Sequence, residues 1–271
     1  MCSSDLVDVT LTVVNLINPA VTNISPSAGP LAGGQTVVIT GSALDGAAIT
    51  IRKFSKKKIT LDVMEGYGSL SPAMKKVLQI AGRCRCNILT SGGTGSGKTT
   101  LLNAISQQID HGERIVTIED TAELSPAHPH VVALESQPPN LEGHGEVSVA
   151  SMLRTALRLR PDRLVVGEVR GAEVLDMLAA MNTGHSGSLS TCHANSPLDA
   201  VRRLESLVLQ HGRKWTSEGA REHIRAALDV CIHVARLRDG TRIVDSVVEL
   251  PRSQHHLFVD RKSTRLNSSH T

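Results

Sequence analysis

Asn87-Ile88-Leu89-Thr90-Ser91-Gly92-Gly93-Thr94-Gly95-Ser96-Gly97-Lys98-Thr99-Thr100 is the stretch on which the fold turns. Asn87 to Thr90 reads as a strand, and a helical pattern runs from Thr99 to Ile109. Between them, Gly92 to Thr99 fits G-x-x-x-x-G-K-[ST], and each part of that spacing answers a physical need. Glycines let consecutive backbone N–H groups turn inward around phosphate oxygens, and the helix N-terminus adds positive potential. In such a loop Lys98 reaches the β- and γ-phosphates and the Thr99 hydroxyl ligates Mg2+. Gly92, Gly93, Thr94, Gly95, Ser96, Gly97, Lys98, Thr99 and Thr100 are therefore the expected nucleotide-binding residues, with Mg2+ as cofactor.

A phosphate cradle does not by itself hydrolyse anything. An acid near the γ-phosphate must orient or deprotonate water, and it belongs at the carboxyl end of a neighbouring strand. Two apolar strands end in acids: Arg163-Leu164-Val165-Val166-Gly167-Glu168 and Ile115-Val116-Thr117-Ile118-Glu119-Asp120. A third strand, Ser188 to Thr191, is flanked by His185 and His193. No acid or cysteine cluster completes four ligands around that pair, so zinc is not expected. His193 shares the strand-end level of Glu168 and Glu119 and is expected to hydrogen-bond near the phosphates.

Working outward, helices and strands alternate. Ser71 to Ala81 reads as a short amphipathic helix with Met74, Val77, Leu78 and Ala81 on one stripe. Short strands are expected at Arg114 to Ile118 and around Val131 to Leu134. Val149, Met152, Leu153, Ala156 and Leu157 mark a helix that must end before Pro161. Another helix is expected from about Ala172 to Met181. Ser196, Pro197 and Asp199 open the next, and Gly212 closes it. A last helix, Glu218 to Asp229, precedes a hairpin of Ile232 to Leu237 and Arg242 to Leu250, turned at Asp239-Gly240. This order implies an α/β fold with a mostly parallel sheet covered on both faces.

The ends read differently. Residues 1–50 hold no Lys or Arg, whereas all 29 basic residues follow, beginning with Arg52, Lys53, Lys56, Lys57 and Lys58. Residues 7–18 and 36–40 are β-branched and alternating. The tail from Arg261 has no apolar periodicity and, with Met1 to Leu6, reads like translated adapter sequence; both lie outside the expected fold. No apolar run approaches the roughly 18–20 residues of a membrane span, so no integral membrane segment is expected. Phe54, Tyr67, Trp215 and Phe258 are too few for a single-strand stacking platform, which argues against a nucleic-acid partner. Five cysteines, an odd number and without zinc spacing, imply a reducing, cytosolic compartment.

From Ala43 to Leu250 the chain resembles the type II/type IV secretion and pilus-assembly ATPases, the tight-adherence (Flp) pilus branch in particular. The matching text is I-T-I-R-K-F-S-K, N-I-L-T-S-G-G-T-G-S-G-K-T-T-L-L-N, E-R-I-V-T-I-E-D-T-A-E-L, L-R-P-D-R-L-V-V-G-E-V-R-G-A-E, A-M-N-T-G-H-S-G-S-L-S-T-C-H-A-N-S and A-R-L-R-D-G. The resemblance implies a RecA-like P-loop core that couples ATP hydrolysis to movement of pilin or a secreted substrate. It assigns Walker A to the glycine loop and an Asp box to Glu119, Asp120 and Glu123. It assigns Walker B to Glu168, the expected water-activating residue, and a His box to His185 and His193. Asp120 joins Thr99 as a metal candidate. Arg154, Arg158, Arg160 and Arg170 are phosphate or inter-subunit candidates, and Arg170 joins Glu168, Glu119 and His193 in the catalytic set. A homohexamer at the cytoplasmic face of an inner membrane, docked on secretion-system membrane proteins, is implied as well.

Departures from the family text stand beside the matches. Residues 1–41 resemble the opening strands of a TIG/IPT immunoglobulin-like module, which suggests a chimeric reading frame joined near Gly41 to Ala43. Gln137 stands where relatives carry Arg before Pro-Pro-Asn, and Cys192 where an aliphatic residue is common. The expected divisions are 1–42 (the β fragment), 43–85 (a remnant of an N-terminal domain with a linker), 86–250 (the ATPase domain) and 251–271 (a disordered or artefactual tail). The competing readings are a truncated nucleotide-binding fragment without motor activity and a RecA-type nucleic-acid motor.

Overall fold

The computed structural model describes residues 58–140 and 142–250, together with the backbone of five strands at 9–14, 20–25, 38–42, 48–53 and 259–262. The chain divides into two compact units, Met1–Lys57 and Lys58–Thr271. In the first, β1 (Val9–Val14) pairs antiparallel with β4 (Ala48–Lys53), and β2 (Ala20–Ser25) pairs antiparallel with β3 (Val38–Ser42). The β1–β4 ladder joins residues on both sides of the junction expected at 41–43. Met1 to Leu6 and residues 263–271 lie outside the described residues.

The second unit is built on the glycine-loop strand. β5 (Ile88–Gly92) is buried at every position and runs parallel to both its neighbours, β9 (Leu189–His193) and β10 (Val230–Arg236). Beyond β9 come β8 (Arg163–Val166), β6 (Ile115–Glu119) and β7 (Val131–Glu135), all parallel. On the other side β11 (Arg242–Glu249) and β12 (Val259–Lys262) add antiparallel strands. The order β12-β11-β10-β5-β9-β8-β6-β7 places the glycine loop at the centre of the sheet's carboxyl edge. β12 reaches into the tail from Arg261 that shows no apolar pattern; its ladder uses backbone groups of β11, which need none.

Helices cover both faces, and the alternation within each strand decides which residue meets which layer. Ile88, Ile115, Val165, Leu189 and Ile232 face α1 (Leu61–Gly66), α2 (Pro72–Arg83) and α3 (Lys98–Ser106) in one core cluster. Leu89, Val116, Ile118, Leu164, Val166 and Cys231 face the other way. They pack with α4 (Val149–Ala156), α5 (Glu173–Asn182), α6 (Pro197–His211) and α7 (Ser217–Ala227). Fully burying one such leucine contributes about 1.5–3 kcal/mol. α4 passes into a 3-10 turn at Leu157–Leu159, and Arg160 takes a left-handed φ of 53° just before Pro161.

Hydroxyl caps set most helix starts. Thr60, Ser71, Ser148, Ser196 and Thr216 each accept a backbone N–H from the first turn of α1, α2, α4, α6 and α7. One expected stripe needs correction. Met74, Leu78 and Ala81 of α2 are buried, but Val77 is 47% exposed because the helix buries a narrower face than the spacing suggested. α1 carries no pattern readable beforehand; its six residues are too few for a helical period to show.

Candidate nucleotide site

β5 delivers the chain to the loop at Gly92, where a side chain has no room. A Cβ there would sit 2.4 Å from the Val234 carbonyl oxygen and 2.6 Å from Ser96 Oγ. The loop ends at Gly97, whose left-handed φ of 100° opens α3 without a side-chain cap. The first i→i−4 bond of α3 is Leu101 N–H to Gly97 O at 2.9 Å. The amides of Lys98, Thr99 and Thr100 therefore have no partner within the helix, which is the arrangement that receives an anion. Ser96 is buried and donates to Gly93 O at 2.8 Å; Thr99 and Thr100 are half-buried, and Thr94 and Gly95 are exposed.

The Lys98 ammonium donates to the carbonyls of Gly92 and Gly93, at 2.9 and 3.0 Å, across the mouth of the loop. Burial lowers its pKa, and the Glu168 carboxylate acts in the opposite sense. That coupling joins the glycine loop to the acid expected from the β8 text. Burial of the Cys192 thiol pushes it up to about 12, so it stands as a neutral group behind the loop.

The other candidates separate into those that converge on this edge and those that do not. Glu168 lies two residues beyond β8, half-buried, with Oε2 3.8 Å from Arg170 Nη2. The same Arg170 nitrogen pairs with Asp120 Oδ2, and Ser136 Oγ donates to Asp120 Oδ1 at 3.3 Å. Glu168, Asp120 and Arg170 thus form one charge cluster. Glu119, the last residue of β6, is only 5% exposed. Its Oε1 accepts the N–H groups of Glu123 and Leu124 at 3.0 and 2.8 Å, so it braces the loop that follows β6. Burial raises its pKa to about 7; the Leu124 N–H opposes that shift and the Glu135 charge adds to it.

His193 ends β9 as the register partner of Gly92 and is exposed there. His185 precedes β9 at the opposite, amino edge of the sheet, because Leu189 is already level with Ile88. Its Nδ1 is buried without a hydrogen-bond partner. The two histidines bounding this strand therefore do not share a site. Arg154 pairs with Asp176 on the helical layer. Gln137 makes a backbone bridge with Val147. Among the described residues, no three His, Cys, Asp or Glu side chains gather as a metal site. Mg2+ commonly leans on phosphate oxygens and few protein ligands, so the single Thr99 hydroxyl is compatible with it.

Several residues here escaped sequence reasoning. Arg242 Nε donates to Gly95 O at 2.8 Å. His233 of β10 is buried beside the loop strand, with Nδ1 2.9 Å from Ser91 Oγ, and burial lowers its pKa. A recess of about 320 Å3 opens next to the loop, lined by Ile59, Met64, Tyr67, Gly97, Thr100 and Arg242 among others. The hairpin itself was legible from its two strand patterns and the Asp239-Gly240 turn, but neither these nor the A-R-L-R-D-G text said what Arg242 or His233 would meet.

Known proteins resemble this chain in sequence and in fold. Residues 38–262 match the family model described as type II/IV secretion system protein. A putative conjugal transfer protein of Mycobacterium tuberculosis is 42% identical over 217 residues, covering 80% of this chain and 61% of its own length. The conjugal transfer protein TrbB of Rhizobium radiobacter is 36% identical over 231 residues, covering 84% of this chain and 68% of its own. The crystal structure of the VirB11 ATPase from the Brucella suis type IV secretion system, in complex with sulphate, superposes with a TM-score of 0.58. It is 34% identical and covers 76% of this chain and 69% of that one. The pilus retraction motor PilT with bound ADP gives a TM-score of 0.56 at 27% identity, covering 74% of this chain and 55% of that one. No helix among the described residues is long and apolar enough to cross a membrane. By sequence, by the uncapped glycine loop and by the RecA-like parallel sheet, the chain belongs to the type II/IV secretion system ATPase family.

Proposed function

We propose that this chain binds ATP with Mg2+ at Gly92–Thr100 and hydrolyses it, as the motor subunit of a secretion or pilus-assembly machine. One observation carries the reading: the Lys98 ammonium lies on the carbonyls of a glycine loop whose helix N-terminus is left without a side-chain cap, open to an anion. The free amides of α3 bind the phosphate oxygens, and Lys98 exchanges its two loop carbonyls for the β- and γ-phosphates. Thr99 holds Mg2+, with Asp120 the second candidate; the ion neutralises phosphate charge when bound. Glu168 orients the attacking water and takes its proton, while Arg170 and His193 stabilise charge at the same strand ends. Glu119 belongs to the same set and also braces the adjoining loop. The recess beside Gly97 and Thr100 accommodates the nucleoside.

The chain spans about 61% of the length of the mycobacterial relatives it matches. Assembly as a homohexamer, a cytoplasmic site peripheral to the inner membrane, membrane-protein partners and a pilin or secreted substrate complete the proposal. So do divisions at 42/43, 85/86 and 250/251. Steady-state ATPase rates and mant-ATP binding, for the unaltered chain, Lys98→Ala and Glu168→Gln, test the chemistry. Glu168→Gln is expected to lose about 100-fold in kcat while keeping its affinity, and Lys98→Ala to lose binding. Equal rates in all three would reject the assignment.

A further inference from the structure

The β10–β11 hairpin stands over the glycine loop although it lies about 140 residues further along the chain. β10 is held beside β5 in register up to the pair Val234 and Gly92. The hairpin turn is closed by Leu237 N–H to Thr241 O at 2.8 Å and Thr241 N–H to Asp239 Oδ1 at 2.9 Å. From this fixed frame, Arg242 Nε donates to the Gly95 carbonyl at 2.8 Å, and its Cδ lies 3.4 Å from where a Gly97 Cβ would be. Arg236 brings Nη1 to 3.9 Å from the Cβ position of Gly95.

A loop whose amides must converge on an anion turns carbonyls outward, and those carbonyls need donors from elsewhere. Gly92 and Gly93 are served by Lys98, and Gly93 also by Ser96. Gly95 sits at the exposed crest, and its donor comes from the hairpin. We propose that Arg242 is a positioning residue for the phosphate loop, pinning the Gly95–Ser96 peptide, and that Arg236 is a second cation favouring the phosphate tail. Nucleotide affinity is thereby tied to the hairpin. This inference rests on the nucleotide reading of the loop.

The test uses the full chain with mant-ATP and Mg2+, steady-state ATPase assays and thermal melts for Arg242→Ala, Arg242→Lys, Arg236→Ala and Lys98→Ala. Arg242→Ala is expected to raise Kd and KM about tenfold while kcat falls by less than about threefold. Its melting temperature stays within about 2 °C, as for an exposed substitution. Arg242→Lys recovers part of the affinity through its single ammonium, and Arg236→Ala weakens binding with a steeper loss at low salt. A Kd for Arg242→Ala within twofold of the unaltered chain overturns the proposal. An affinity loss that follows a falling melting temperature, or one that Arg242→Lys does not relieve, overturns it too. Absence of Lys98-dependent binding in the unaltered chain overturns the nucleotide reading itself.

Discussion

Glu119→Gln is the perturbation for which the structure yields a definite sign and size. The Glu119 carboxyl is buried at the end of β6, and Oε1 accepts two backbone N–H groups, from Glu123 and Leu124. A glutamine amide oxygen can accept the same two bonds while carrying no charge. In the unfolded chain the glutamate titrates near 4.5, whereas burial raises its folded value to about 7. Between those values the folded state holds the proton more tightly, so the stability of the unaltered chain falls as pH rises. Below 4.5 the group costs nothing by this route; above about 7 the full cost applies. At 1.36 kcal/mol per pH unit, that cost is about 3 kcal/mol. Glu119→Gln should therefore match the unaltered chain near pH 4.5 and exceed it by up to about 3 kcal/mol at pH 8. Trp215, the sole tryptophan and partly exposed in the α6–α7 turn, reports urea unfolding of the second unit by fluorescence. A stability difference that stays flat from pH 4.5 to 8, or one that favours the unaltered chain at pH 8, would refute the assignment of a buried, reluctantly ionised carboxyl.

Other outcomes follow from equally local geometry. Gly92→Ala places a methyl 2.4 Å from the Val234 carbonyl oxygen, so it should lower the melting temperature and weaken mant-ATP binding more than about tenfold. Arg163 is fully buried and holds Glu113 through two bonds of 2.7 and 2.9 Å, with a third to Gly82 O at 2.7 Å. The Arg163 guanidinium is also the main reason that the Glu113 pKa is lowered. Arg163→Ala leaves Glu113 to Arg85 alone, takes the side-chain donor from Gly82 O and empties a fully buried site, so it should cost about 3–5 kcal/mol in urea unfolding, with ordinary stability in the variant counting against the argument.

Much of the site was legible because its chemistry is local. Gly92 to Thr99 carries its own spacing, and Glu168 and Glu119 end strands whose apolar runs announce burial. Ser196-Pro197 marks a helix start without any tertiary help, and the structure bears this out with Ser196 accepting the Asp199 N–H. What sequence could not supply was the meeting of distant groups. That Arg242 meets Gly95 and Arg170 meets Asp120 joins residues 147 and 50 positions apart, which no local pattern links. Val77 fits an apolar stripe, but how deep a helix sinks depends on the layer beneath it.

The sequence by itself determined that a phosphate-binding turn joins a central strand to a helix, within alternating strands and helices that require a covered parallel sheet. Those features are set by backbone freedom at glycine and by the period of apolar residues, and both act over a few residues. Tertiary structure alone decided that β10 would lie beside β5, bringing Arg242 to Gly95 and His233 to Ser91. It also decided that Glu119 would be buried while Glu168 came to face Arg170. Strand order and burial are settled by packing the whole sheet between its two helical layers, and no short window of residues contains that information.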